Sequence, residues 1–255
     1  MLCLASLKSA AILILFALLL SSDLYGMSSF ELDMLFILDT SSGVSLEDYD
    51  IQKTFVQRIT MHLGIFNRQS RAAVVAYGAN SFVVFSFGGY NSNLEFARLL
   101  KEARMFGGER RVDRALDTAS AVMLNARSSK PKVVLLITAG KQSNASDVRP
   151  LKDAVLPLRH LGAWLYLIAF GQEDASDFLQ VTMKPTDIFF SRFFSGPAVY
   201  GYIAPVARHI ANTSGKKKTL YFSRLYCPRR DFAQKAKSRG GTLVTLAYIK
   251  ESTYS

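Results

Sequence analysis

The chain has 255 residues, of which 49% are hydrophobic and 20% are charged. This balance is typical of a globular protein with a sizeable core and excludes a disordered chain. The net charge of +11 lies mainly at one end, because residues 215–255 carry ten lysines and arginines against two acids and leave +3 for the rest.

The first 26 residues have the pattern of a secretory signal peptide. Lys8 precedes the apolar residues 10–20, and the small or polar residues Ser21, Ser22 and Gly26 follow them. Eleven apolar residues fall short of the roughly 20 that span a bilayer, so we predict cleavage and secretion to the extracellular matrix. An uncleaved anchor is the alternative. After cleavage we expect no stable membrane insertion, and secretion excludes nucleic acid as a partner.

From residue 32 short apolar runs alternate with amphipathic stretches. Strands are predicted at residues 32–38, 72–77, 82–87, 132–138, 163–170 and 188–193, and helices at 46–63, 93–104, 112–126, 147–161, 175–181 and 197–210. Residues 78–81 read as a four-residue hairpin turn, Asp147 as a helix N-cap, and Pro197 as part of a first helical turn. The pattern predicts an α/β fold with a doubly wound, mostly parallel six-stranded sheet and one antiparallel edge strand.

The first predicted strand ends in residues 36–43, "FILDTSSG". Asp39 and Ser41 then lie at the carboxyl end of a strand, where an open parallel sheet binds ligands. Carboxylate and hydroxyl oxygens at this position are typical ligands of a divalent metal.

Five segments in order, "FILDTSSG", "RAAVVAYG", "GGERRVDRAL", "VVLLITAG" and "WLYLIAFG", resemble a von Willebrand factor A domain. The resemblance covers residues 31–212 and is strongest to the divergent A domains of type VI collagen chains. It implies the fold predicted above. The domain organisation we expect is a signal peptide at 1–26, an A domain at 30–212 and a poorly ordered basic tail at 213–255.

The resemblance implies a metal-dependent adhesion site (MIDAS) with five oxygen donors. Asp39 and Ser41 match the first two, but the remaining positions fall on Gly43, Val112 and Ala139, which have no side-chain oxygen. Magnesium requires a near-octahedral shell of oxygens, so one carboxylate and one hydroxyl leave most of the shell to water. We therefore predict that no functional metal or other cofactor binds, with weak magnesium binding left open.

Arg110 and Arg111 lie on the loop that approaches this site, and their charge repels a cation. One interpretation is structural: Asp39 accepts hydrogen bonds from loop amides and pairs with Arg110 or Arg111, while Ser41 caps the turn. The alternative is that Asp39, Ser41, Arg110 and Arg111 form a metal-free docking face for an acidic partner.

Enzymatic chemistry finds little support in this sequence. The three histidines, His62, His160 and His209, fall within or at the ends of predicted helices and are interpreted as surface or capping residues. No phosphate-binding loop, zinc cluster or dinucleotide fingerprint appears. The aromatic series Phe189, Phe190, Phe193, Phe194 and Tyr200 is interpreted as core and sheet-edge packing, with any exposed remainder forming an interface.

The basic tail offers a candidate site for sulfated glycosaminoglycans. Its clustered cations are Lys216, Lys217, Lys218, Arg229 and Arg230. A solvated or poorly ordered end is the alternative.

Covalent modification has three candidate positions. Cys227 is the one cysteine left after signal cleavage, and it forms either an intermolecular disulfide or a buried free thiol. Asn144 and Asn212 begin N-glycosylation sequons, which are weak support for a secreted surface.

The predicted function is a secreted matrix module that binds a collagenous or matrix-associated protein without a metal. The alternatives are a metal-dependent adhesion domain whose degenerate site still works, and a truncated product that contributes only to structure or assembly.

Overall fold

Six strands form one sheet in the computed structural model, which describes residues 31–65, 70–171, 176–182, 184–192 and 194–213. The strands are β1 (Asp33–Asp39), β2 (Arg71–Tyr77), β3 (Ser81–Phe85), β4 (Lys132–Thr138), β5 (Ala163–Phe170) and β6 (Ile188–Ser191). Their order in the sheet is β3-β2-β1-β4-β5-β6, and all neighbours are parallel except β2 and β3. The predicted doubly wound sheet with one antiparallel edge strand is confirmed.

Helices connect these strands. They are α1 (Leu46–His62), α2 (Asn93–Glu102), α3 (Val112–Met123), α4 (Leu151–Ala154), α5 (Leu156–His160), α6 (Gly196–Tyr200) and α7 (Ile203–Thr213), with 3₁₀ turns at Ser176–Gln180 and Pro185–Asp187. No described helix has the length and apolar character that crossing a membrane requires.

The sheet separates two hydrophobic clusters, one on each face. Met34, Phe36 and Leu38 of β1 pack into the first cluster, and Leu35 and Ile37 pack into the second. Successive side chains of a strand point to opposite faces, so a strand covered on both sides must be apolar at every position. This explains the unbroken apolar run that precedes Asp39.

The segment after β4 departs from the prediction of one helix at residues 147–161. It contains two short helices, and Pro150 rather than Asp147 occupies the N-cap of α4. Pro150 and Pro157 lack a backbone N–H and cannot continue a helical hydrogen-bond ladder. Asp147 instead accepts a hydrogen bond from the Arg111 guanidinium.

Other predicted boundaries shift by smaller amounts. The turn between β2 and β3 has three residues, because β3 already begins at Ser81. The predicted helix at 197–210 divides into α6 and α7, with Pro197 in the first turn of α6. The predicted helix at 175–181 is a 3₁₀ turn. The signal peptide and the basic residues of the tail lie outside the described residues.

The sheet order positions the site. β1 lies between β2 and β4, so the chain leaves β1 toward one side of the sheet and later returns to the other side. In open α/β sheets the ligand crevice lies at such a reversal of strand order, outside the carboxyl ends of the strands. Here those ends carry Asp39 on β1 and Thr138 on β4, which residues 139 and 140 follow.

Candidate functional site

Asp39 is fully buried at the end of β1, and its backbone is fixed by helix α1. Its N–H donates to Gln52 Oε1 over 2.9 Å, and Gln52 Nε2 donates to its carbonyl over 2.8 Å. Gln52 lies on the buried face of α1, in a helix that begins with a Ser45–Asp48 capping box. The carboxylate is therefore held in one position relative to the sheet.

Four donors surround the Asp39 carboxylate. Oδ1 accepts from the Ser41 amide at 2.9 Å, whereas Oδ2 accepts from the Ala139 amide at 2.9 Å and from Arg110 Nε at 2.7 Å. The Thr138 hydroxyl lies 3.3 Å from Oδ2. A buried carboxylate is stable as an anion when it is paired and hydrogen-bonded in this way.

The loop that carries Arg110 is attached to the loop that follows Asp39. Gly107 N–H donates to the Thr40 carbonyl, Gly108 N–H donates to Ser42 Oγ, and Ser42 N–H donates to the Gly108 carbonyl, over 2.8–2.9 Å. Gly107 and Gly108 have φ angles of 68° and 83°, a region that favours glycine. The pair of glycines thus gives the loop the turn that directs Arg110 toward Asp39.

Two further glycines leave room for the Arg110 guanidinium. A Cβ on Gly43 would lie 2.8 Å from Nη2, and a Cβ on Gly140 would overlap Nη1. The Arg110 side chain is 15% exposed. The guanidinium therefore fills a space bounded by Asp39, Gly43 and Gly140, which we call the arginine cradle.

A family model of the von Willebrand factor type A domain matches residues 33–196. The chain belongs to this family. The predicted resemblance to A domains of type VI collagen is confirmed, because the human collagen alpha-6(VI) chain is 23% identical over 188 residues. Those residues are 72% of this chain and 8% of that protein.

Other relatives of this A domain are also partial matches. Matrilin-1 of Gallus gallus is 21% identical over 63% of this chain and 32% of its own length. A structure of proximal thread matrix protein 1 from the mussel byssus has a TM-score of 0.62 and 19% identity over 70% of this chain and 47% of that one. A further structure of the mussel protein, with a TM-score of 0.61 and 18% identity, has a zinc-occupied MIDAS motif. This chain spans less than half the length of each of these relatives.

The residues at the positions that the resemblance assigns to a MIDAS leave few side-chain oxygens unengaged. Asp39 is already paired with Arg110, and Gly43 and Ala139 supply no side-chain oxygen. Val112 is buried in the second hydrophobic cluster. Ser41 Oγ is buried without a hydrogen-bond partner, which leaves one free hydroxyl. Within the described ranges, no three His, Cys, Asp or Glu side chains gather where they could hold a metal ion.

Arg111 points away from Asp39 into a separate network at the start of α3. Its guanidinium pairs with Asp113 over 2.8 and 3.0 Å and with Asp147 Oδ2 over 2.7 Å, and the residue is 4% exposed. Burial alone would raise the pKa of Asp113, but hydrogen bonds from Arg111 and from backbone amides outweigh it and lower that pKa. The Arg111 guanidinium is thus engaged by two carboxylates of its own chain.

Arg114, Lys141 and Arg149 at this end of the sheet are also paired with carboxylates. Arg114 contacts Asp147 Oδ2 at 3.2 Å and donates to the Ala79 carbonyl and Asn80 Oδ1. The hydrogen bond from the Arg111 guanidinium lowers the pKa of the Asp147 carboxyl. We call the loops following β1, β2 and β4, together with residues 105–111, the carboxyl-end rim. Its arginines and its one lysine, Lys141, are all paired with carboxylates.

Two stacked phenylalanines at this rim were not singled out from the sequence. The rings of Phe82 on β3 and Phe106 lie with centroids 3.9 Å apart and an interplanar angle of 25°. They are 39% and 47% exposed. Phe106 directly precedes the Gly107-Gly108 turn, so Phe106 and Arg110 share one anchored loop, whereas Phe82 lies on β3.

The histidines contribute no grouped catalytic site. His62 ends α1, and burial lowers its pKa. His160 ends α5. His209 on α7 lies 2.6 Å from the buried Asp187, so it is a paired residue rather than a simple surface histidine.

Most members of the predicted aromatic series pack against the core. Phe189, Phe194 and Tyr200 contact the first hydrophobic cluster, whereas Phe190 is 44% exposed. Phe193 lies outside the described residues, as do Cys227 and the tail cations Lys216, Lys217, Lys218, Arg229 and Arg230. Asn144 and Asn212 are both exposed.

Proposed function

We propose that this chain is a secreted extracellular-matrix module that binds a matrix protein and whose MIDAS is degenerate and works without a metal. The observation that carries this proposal is the Arg110–Asp39 pair in the arginine cradle. The carboxylate that would hold a metal already holds a cation supplied by the chain. No enzymatic activity is proposed.

The kinds of protein among the relatives support an extracellular-matrix setting for this chain. Collagen alpha-6(VI), matrilin-1 and collagen alpha-1(XXI) are matrix-type proteins with A domains. A collagenous or matrix-associated partner is therefore the first class to test. The same relatives and the leader-like pattern of residues 1–26 support the proposed secretion.

The docking face we propose is the carboxyl-end rim. Its arginines and its lysine are already paired with carboxylates, so they are poorly placed to select an acidic partner. The exposed Phe82–Phe106 pair offers apolar contact instead, and the exposed residues Ser42 and Gly43 lie on the same rim. Apolar contact made from an already ordered loop loses little conformational entropy on binding.

The alternative of a metal-dependent adhesion domain requires Arg110 to leave Asp39 and a shell to form without the three missing donors. The test is retention of the secreted full-length protein on immobilised matrix extract, with chelator or with added magnesium or manganese. We expect equal retention and an unchanged thermal midpoint in all three conditions. If a metal did bind, a free concentration of 100 times its dissociation constant would add about 2.7 kcal/mol to the free energy of unfolding and would raise the thermal midpoint.

Ser41→Ala provides the matched control, because it removes the remaining free hydroxyl of the site. Retention that is lost with chelator, restored by magnesium and weakened by Ser41→Ala would overturn the metal-free proposal. Failure to bind matrix in any condition would instead favour the structural or assembly product.

Contact with glycosaminoglycans through the basic tail is a second candidate, favoured by the balance of +8 in residues 215–255. The test is heparin affinity of the triple variant Lys216→Gln, Lys217→Gln, Lys218→Gln. Its elution salt should fall clearly below that of the wild-type chain. A control that removes Lys53, Lys101 and Lys152 in the same way should change elution less, and equal effects would reject a tail site.

A further inference from the structure

The loop between β4 and α4 presents an unused modification site. Asn144, Ala145 and Ser146 form a sequon in this loop, and both Asn144 and Ser146 are exposed. No hydrogen bond from a described residue engages the amide of Asn144 or the hydroxyl of Ser146. Both groups that define the sequon are therefore free for recognition.

The same loop is fastened to Arg110. The Arg110 N–H donates to Ser143 Oγ over 3.0 Å, and the Ser143 N–H donates to the Arg110 carbonyl over 3.1 Å. Arg110 Nη1 also lies 3.4 Å from the Lys141 carbonyl. Asn144 directly follows Ser143, which contacts Arg110. The Cα atoms of Ser143 and Asn144 are therefore about 3.8 Å apart.

We propose that Asn144 carries an N-linked glycan that covers the Arg110 side of the carboxyl-end rim. This inference rests on the secretion stated in the proposed function, because the modification takes place in the secretory pathway. The side-chain amide nitrogen forms a bond to the anomeric carbon of a lipid-linked oligosaccharide diphosphate. The bond from that carbon to the diphosphate oxygen breaks with its electron pair, and the amide proton passes to a base of the transferase.

The glycan refines where a partner binds. The paired Ser143 contacts hold the residue before its attachment point beside Arg110, so the first sugars start at this part of the rim. The Phe82–Phe106 pair belongs to β3 and to the segment before Gly107, and neither carries a sequon. A partner is thereby directed to the aromatic pair rather than to the Arg110–Asp39 pair.

The modification is tested on full-length protein secreted from cells that glycosylate. Intact mass before and after amidase deglycosylation should show a glycan that both Asn144→Gln and Ser146→Ala remove. Asn212→Gln serves as the matched control and should leave the Asn144 glycan in place. Secreted protein whose residue 144 is unmodified would overturn the proposal, whereas protein that is retained in the cytosol would overturn the proposed secretion.

The shielding of the rim by the glycan is tested by acetylation of lysine amines, measured by peptide mass spectrometry. Lys141 is 62% exposed and three residues from Asn144, whereas Lys101 on α2 is exposed and far from this loop in sequence. Enzymatic removal of the glycan should raise the acetylation rate of Lys141 at least twofold and leave that of Lys101 unchanged. Equal acetylation rates of Lys141 with and without the glycan would contradict the proposal that the glycan covers this part of the rim. A glycan with the expected cover but no matrix binding would reject only the proposed partner.

Discussion

Arg110 Nε lies 2.7 Å from Asp39 Oδ2 and joins two loops that are 71 residues apart in the chain. Asp39 is fully buried, so a carboxylate here without a counter-charge would be costly. The guanidinium provides that charge permanently, whereas an exchangeable ion would provide it only at sufficient concentration. The pair therefore links the stability of the domain to the independence from metal that we propose.

Replacing Arg110 by alanine should destabilise the domain strongly. Removing one partner of a buried ion pair typically costs about 3–5 kcal/mol, because the other charge stays buried. We expect a loss in this range in the free energy of unfolding, measured by urea denaturation at pH 7.

Arg98→Ala is the matched control for this change. Arg98 pairs with Glu102 on the surface of α2, and both side chains are more than half exposed. Exposed helix pairs contribute about 0.3–0.5 kcal/mol. Similar losses for Arg98→Ala and Arg110→Ala would contradict a central role for the Arg110–Asp39 pair.

Gly140→Ala should destabilise the domain only while Arg110 is present. A Cβ on Gly140 overlaps the Arg110 guanidinium, and forcing extra volume into a packed site typically costs about 1–3 kcal/mol. In an Arg110→Ala background the space is empty, so the added methyl should cost much less.

A double-mutant cycle on unfolding free energies measures this dependence. The coupling between Gly140→Ala and Arg110→Ala should exceed about 1 kcal/mol. Gly88→Ala is a control with no atom within 4 Å of the added Cβ, although its φ of 80° carries its own backbone cost. Additive effects at Gly140 and Arg110 would show that the cradle does not hold the guanidinium as described.

The location of the site was predictable, because an apolar run ending in Asp39 marks the carboxyl end of a buried strand. The same reading showed that Gly43, Val112 and Ala139 lack oxygens. The sequence also offered Arg110 or Arg111 as the partner of Asp39, but it did not show which of the two would fill the space. Arg110 and Arg111 are adjacent and chemically identical, and their directions depend on the left-handed turn at Gly107 and Gly108 rather than on a periodic pattern.

Long-range pairings account for the other differences. Asp147 has the residue type of an N-cap, but Arg111, 36 residues earlier, binds its carboxylate. Phe82 alternates as expected for a strand, yet its ring partner Phe106 lies in a separate loop. Local propensity cannot identify such partners, since they depend on how the elements pack.

Stability should fall in acid through Asp33 at the start of β1. Burial alone would raise the pKa of Asp33, but hydrogen bonds from Arg71 and Arg127 outweigh it and lower the pKa below the usual 3.8. A carboxyl whose pKa is lower in the folded state contributes stability above the usual value. This contribution is lost as the pH falls toward and through the folded pKa.

The measurement is the free energy of unfolding between pH 7 and pH 2.5. Asp33→Asn should lower stability by about 3 kcal/mol at pH 7 and make the acid limb less steep, because one depressed carboxyl no longer titrates. Asp50→Asn, at a side chain that is 70% exposed and paired with Lys53, should cost much less stability at pH 7. An acid limb of equal slope in Asp33→Asn and wild type would contradict this assignment.

Replacing Phe106 by alanine should separate binding from folding. Stacked aromatic pairs contribute about 0.5–1.5 kcal/mol beyond their buried area, so the exposed Phe106 ring should cost little in unfolding free energy. Exposed aromatic anchors can dominate the energy of an interface, and truncating one typically costs 2 kcal/mol or more of binding, roughly thirtyfold in affinity. We expect Phe106→Ala to lose most of its retention on matrix extract with its thermal midpoint nearly unchanged.

Leu94→Ala, at a residue that is 82% exposed on α2, is the matched control and should bind as wild type does. Equal retention of the two variants would place the docking face away from the Phe82–Phe106 pair.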